Sequence, residues 1–232
     1  MARDLAARER ALMEAEKRAS LGLLAAGIAH QINNPIGVIL GYARLLEEGR
    51  VSDPAAALRI LHDEAGEAKR IVETLLALAR PGRVSVEEVP VAGLLAETLG
   101  HVSRYHRDAR GEVRTECPPD LVVRTDPKKL QQVLTNLIIN GLEAMPSGGD
   151  VTVSAQRRGA SVVVEVADEG PGLSKEDMER LFDPYFTTKK GGTGLGLAIT
   201  QEIVRALGGS VEARAREPRG CVFSVVLPEV QP

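Results

Sequence analysis

The chain has 232 residues, 44% of them hydrophobic and 26% charged. That is the balance of a globular protein long enough to bury a sizeable core in one large domain or two small ones. A net charge of -3 with no basic cluster gives no footing for nucleic acid. No apolar run approaches the roughly 20 residues that span a bilayer, and the charged N-terminus lacks a signal-peptide core. Cys117 and Cys221 lie far apart and read as reduced thiols, so the expectation is a cytoplasmic, soluble chain with no membrane segment.

From Ala2 to about Glu48 the sequence predicts one long helix rich in Ala, Leu, Glu, Arg and Lys. Leu5, Leu12, Ala19 and Ala26 recur at coiled-coil spacing. The stretch from Glu48 to Pro54 breaks it, with Asp53 as N-cap and Pro54 at the first position of a second helix reaching about Arg80. Two amphipathic helices joined by a short turn form a hairpin with exposed apolar stripes. Pairing two copies into a four-helix bundle would bury them, which predicts a homodimer.

Beyond Arg83 the pattern turns to mixed α/β. Val84–Val89 reads as a strand and Val91–Tyr105 as a helix. Strands follow near Val113–Cys117 and Leu121–Arg124, then a helix opened by Asp126-Pro127 and ending near Met145. Val151–Arg157 and Ser161–Asp168 alternate as a hairpin. A short helix at Lys175–Leu181, a helix from about Gly194 to Leu207, and strands Ser210–Ala215 and Cys221–Leu227 complete the chain. The fold class is α+β: a helical hairpin, then an α/β sandwich of a mixed sheet and a helical layer.

The first chemical candidate is His30, inside the first helix. Pro35 kinks that helix just beyond it, and Asn34, four residues on, shares its face. A neutral imidazole is a nucleophile. Alone, His30 would read as a surface histidine; four later segments change its weight. Asn136 and Asn140 present amide oxygens on one helix face, hard ligands of the kind Mg²⁺ accepts beside phosphates. Asp168, at a strand end, can accept from an adenine amino group, and Gly170 and Gly172 after it allow close backbone approach. Phe182 to Lys190 combines aromatic anchors with basic residues that can reach phosphate, Lys189 among them. Gly191 to Leu197, including Thr193, Gly194, Leu195 and Gly196, places a glycine-rich turn before a helix N-terminus. It is neither a Walker loop nor a Rossmann fingerprint.

In this order the segments resemble the histidine kinases of two-component signalling. Residues 20–46 resemble the H box, Asn136–Asn140 the N box, Asp168–Gly172 the G1 box, Phe182–Thr188 the F box and Thr193–Leu197 the G2 box. The resemblance implies a coiled-coil lead-in over residues 1–19, a dimerisation and phosphotransfer hairpin over 20–81, and an ATP-binding domain of the Bergerat (GHKL) fold over 82–232. It implies ATP and Mg²⁺ as cofactors and a response-regulator receiver domain as partner. It also allows the chain to be the soluble part of a longer, membrane-bound sensor. By motif position, His30 would be phosphorylated, Asn140 would hold Mg²⁺, Asn136 would neighbour the phosphates, and Asp168 would hold adenine. Residues 183–193 would form a lid. Asn34 resembles the family's phosphatase residue.

Three positions depart from that pattern. Gln31 follows the histidine where the family usually has Glu or Asp; glutamine can accept the imidazole hydrogen bond but cannot take a proton. The expectation is an autokinase slowed rather than abolished, with a phosphatase-biased or scaffolding protein as the alternative. Glu143 stands where many members carry a basic residue, and Gly220-Cys221-Val222 replaces a Gly-Thr pair.

Overall fold

A computed structural model describes residues 32–79, 84–105, 111–189, 192 and 194–229. The chain divides into two compact units, Met1–Arg80 and Pro81–Pro232. The coiled-coil lead-in, His30 and Gln31 lie outside the described residues, as does Thr193.

In the first unit, helix α1 covers residues 32–47 and α2 Pro54–Ala79. The turn between them follows from its residues. Arg50 N–H donates to the Leu45 carbonyl at 2.9 Å, closing α1 around Gly49. Asp53 Oδ1 accepts from Ala56 N–H at 3.0 Å, capping α2 behind Pro54. Ile36, Leu40, Leu58 and Val72 are exposed, Leu40 at 66%. Such apolar surface on a hairpin is what a second helical pair would cover.

The second unit is built from seven strands and four helices among the described residues. Strand β1 is Glu87–Pro90, β2 Val113–Glu116, β3 Val122–Thr125, β4 Val151–Arg158, β5 Ser161–Asp168, β6 Ser210–Ala215 and β7 Cys221–Pro228. Helix α3 is Val91–Tyr105, α4 Pro127–Glu143, α5 Lys175–Arg180 and α6 Gly196–Ala206. The main sheet runs β2-β4-β5-β7-β6, with β2 parallel to β4 and the remaining neighbours antiparallel. β1 and β3 form a separate antiparallel ladder. A mixed sheet was expected; this second ladder was not.

The strand expected over Val84–Val89 begins only at Glu87, because Ser85 N–H is drawn to Asp126 Oδ2 at 2.9 Å instead of joining a ladder. Asp126 also accepts from Lys128 and Lys129 N–H through Oδ1, each at 3.1 Å, so one carboxylate starts α4 and holds the chain that leads into β1. α4 buries Leu130, Val133, Leu134, Leu137, Ile138 and Leu142, and packs on α3, α6, β4 and β5. β5 is the central strand. Its period of two sends Val162, Val164, Val166 and finally Asp168 to the same face.

Candidate nucleotide site

The site grows from the C-terminal half of α4. A methyl group built on Gly141 would lie 3.1 Å from Val151 Cγ2 and 3.3 Å from Asp168 Cβ, so the helix passes closely against the end of β5 and a larger residue would fit only if its neighbours shifted by a few tenths of an ångström. Asp168 is 5% exposed. Its Oδ1 accepts from Gly170 N–H at 2.9 Å and from Cys221 N–H at 3.3 Å. Burial pushes its pKa up; the two N–H groups, then the charges of Arg216 and Lys189, oppose that. Cys221 therefore contributes through its backbone. Its thiol is pushed up to about 11 by burial and by the Asp168 charge, which keeps it protonated and unreactive.

Gly220 fixes the other side of this carboxylate. It has φ +111°, and a methyl group there would sit 2.0 Å from the Asp168 carbonyl oxygen. Both the backbone conformation and the contact demand glycine. Gly220→Ala is expected to lower stability by at least about 3 kcal/mol, read as a lower urea midpoint, and to weaken nucleotide binding with it. Gly170 lies over Ala144 and Met145 of the α4 end, and Gly172 lies against the Gly220 backbone. Arg216, which nothing local in the sequence marks, donates from Nη1 to the Asp168 carbonyl at 3.1 Å and pairs with Glu169 at 3.6 Å.

One helical turn earlier, Asn136 Nδ2 donates to Thr200 Oγ1 at 2.8 Å. A methyl group on Gly196 would come within 2.7 Å of Asn136 Oδ1, so the start of α6 rests directly on this amide. Leu195, just before it, is fully buried and anchors the glycine-rich turn in the core. Gly194 has φ +65° and lies against the backbone of Tyr185, whose N–H donates to the Gly194 carbonyl at 2.9 Å. The aromatic segment and the glycine turn are thus tied at their ends.

Lys189 lies between those ends. Its Nζ donates to Asn140 Oδ1 at 2.8 Å, to the Asn140 carbonyl at 3.3 Å and to Glu143 Oε2 at 2.8 Å. The sequence singled out Lys189 and Asn140 separately, but not their pairing across 49 residues. The other three nucleotide-site segments therefore meet the C-terminal half of α4 and its cap: the glycine turn with Gly196 at Asn136, the aromatic segment with Lys189 at Asn140, and the strand end with Asp168 at Gly141 and Gly170 at Ala144. Asn34 is exposed on α1, with Pro35 buried beside it.

Two family models match. The phospho-acceptor His Kinase A domain covers residues 20–83, and the histidine kinase-, DNA gyrase B- and HSP90-like ATPase covers residues 125–231. The catalytic domain of histidine kinase ThkA is 32% identical over 63% of this chain and 99% of its own, with a TM-score of 0.58. This chain belongs to the histidine kinases. Among curated members of the family, the sensor histidine kinase ZraS of Salmonella typhi is 35% identical over 226 residues, 95% of this chain and 48% of that protein. The chain spans about half the length of such relatives. ThkA in complex with the response regulator TrrA matches at a TM-score of 0.71 and 27% identity, over 94% of this chain and 65% of that one. The two family models leave residues 84–124 unmatched, yet α3 packs on α4 and β1 pairs with β3, and the segment lies in the same compact unit, Pro81–Pro232, as the ATPase match.

Proposed function

We propose that this chain transfers the γ-phosphoryl group of ATP to His30 and passes it to an aspartate of a response-regulator receiver domain. The observation that carries this reading is the meeting of three dispersed segments on the C-terminal half of α4 and its cap, from Asn136 to Met145. Asp168 would accept from the adenine amino group through its outer carboxylate oxygen. The N-terminus of α6, opened by Gly194 and Gly196, would direct backbone N–H groups at phosphate. Lys189 would supply positive charge to the same phosphates.

A divalent cation suits the Asn140 position. A positive charge, the Lys189 ammonium, is already held there by three oxygens, and oxygen is the donor that Mg²⁺ prefers. When bound, Mg²⁺ would neutralise triphosphate charge as it builds on the leaving group. The protein's own part is positioning: α4, Lys189 and the N-terminus of α6 would hold the triphosphate ready for transfer. The exposed apolar residues of the hairpin support a homodimer. ThkA's complex with a response regulator supports a receiver domain as partner. The test is to label the chain with γ-labelled ATP and chase with a panel of receiver domains. A label that never leaves for any receiver would count against the phosphorelay.

Gln31 supports a slow autokinase. Its amide can orient the imidazole of His30 but cannot offset the positive charge that develops there. General-base help of this kind is worth about 10²–10⁴-fold. Gln31→Glu is expected to raise the initial rate of labelling by at least about tenfold without altering nucleotide affinity; an unchanged rate would remove Gln31 as the limiting feature. The exposed Asn34 carboxamide supports a phosphatase activity toward the phosphorylated receiver, with the amide orienting water.

A further inference from the structure

Glu143 is the least expected member of the site. Its carboxylate shares one ammonium ion with the side chain of Asn140, each at 2.8 Å, and the Asn140 carbonyl adds a third oxygen. The three oxygens come from one turn of α4, at positions 140 and 143, so the helix presents them together whatever occupies the centre. The occupant is loosely held. Lys189 is 31% exposed and Glu143 45%, and ion pairs this open to water exchange readily.

A bound triphosphate would upset this arrangement. Phosphate oxygens at Asn140 would compete for the Lys189 ammonium. A carboxylate left facing them would repel them unless a cation stood between. Among the described residues no group of three or more His, Cys, Asp or Glu gathers as a metal site, here or elsewhere, so Asn140 and Glu143 could hold an ion only together with the nucleotide. A divalent ion here would complete its shell from phosphate and water.

We propose that Glu143 supplies a carboxylate to the coordination shell of the divalent cation that enters with ATP, and that Lys189 is the resident cation it displaces toward the phosphates. The inference rests on the reading that nucleotide binds at this turn of α4 with Asn140 at the metal. It explains why an acidic residue is tolerated beside a polyanion: the negative charge is never left without a cation. It also makes nucleotide entry an exchange, with Mg²⁺ coming in and the Lys189 ammonium moving outward.

The experiment measures the affinity of the full chain for the non-hydrolysable analogue AMP-PNP, once with Mg²⁺ and once in EDTA. The ratio of the two affinities is the tightening that the metal provides. Glu143→Gln is expected to cut that ratio by at least about tenfold, while binding in EDTA stays equal to wild type or becomes tighter, because the repulsive carboxylate is gone. Retained binding in EDTA also shows that the variant is folded. If Lys189 stays on Glu143 in the complex, Glu143→Gln leaves the ratio at its wild-type value, and the proposal is wrong. Asn140→Ala separates this from the underlying reading. A ratio that survives Asn140→Ala removes the metal from this turn of α4 altogether. A ratio lost in Asn140→Ala but kept in Glu143→Gln removes only Glu143.

Discussion

Asp168→Asn is expected to weaken ATP binding by at least about 100-fold while leaving the fold intact. The asymmetry comes from the carboxylate's two oxygens. Oδ1 is occupied by the N–H groups of Gly170 and Cys221, and an asparagine carbonyl oxygen can accept both. Among the described residues Oδ2 accepts no hydrogen bond. Asparagine would place an NH₂ donor there, facing the donor amino group of adenine, and two buried donors that meet are left unpaired. Calorimetric titration with AMP-PNP reads the loss. Thermal unfolding without nucleotide should show no fall in Tm, because the substitution removes a buried charge.

The pH dependence has a definite sign. Burial raises the folded-state pKa of Asp168 above its unfolded value, so the folded chain holds that proton more tightly. The carboxylate therefore costs stability above its folded pKa, and the cost is relieved as pH falls through that pKa and is gone below the unfolded value. ATP affinity moves the opposite way. It falls as the acceptor is protonated, at a pH above that of an ordinary aspartate. Asp168→Asn should flatten both profiles.

His30→Ala is expected to abolish incorporation of label from γ-labelled ATP, with the wild-type label acid-labile and base-stable as a phosphoramidate must be. Nucleotide affinity should not change, since His30 belongs to the unit Met1–Arg80 and the nucleotide residues to Pro81–Pro232. Filter-bound counts after acid and alkali treatment check the first outcome, and AMP-PNP titration checks the second. Label that persists in His30→Ala would place the phosphoacceptor elsewhere. A joint loss of label and of binding would mean the substitution had damaged the nucleotide unit rather than the acceptor.

These residues also show where sequence is informative. Asp126-Pro127 marks the start of α4 because capping and proline geometry are local, and Asp126 does accept from the first turn. The alternation of Ser161–Asp168 gives β5 and puts Asp168 at its end. The order of strands in the sheet is another matter. Nothing in β2 says that it will run parallel to β4, nor in β5 that its other neighbour will be β7, since those choices depend on pairings between distant segments. The same distance hides the site's finer structure. Lys189 and Glu143 are 46 residues apart and meet only because the fold brings them together. Ser85 meets Asp126 across 41 residues, which shortens the strand that its valine neighbours suggested. Arg216 lies in the turn between β6 and β7 and carries no local signal at all.

Asp168 closes a strand hydrogen-bonded on both sides, by β4 and by β7. Lys189 reaches the neighbouring turn of α4 from a segment with neither helix nor strand, held there by half-exposed contacts. Amide hydrogen exchange should separate the two segments on the clock. Protons in the middle of β5 should leave only when the whole unit unfolds, and those of Thr187 to Lys189 should leave through brief local openings. The adenine end of the pocket would then keep its shape through every catalytic cycle, and the phosphate end would set how fast nucleotide comes and goes.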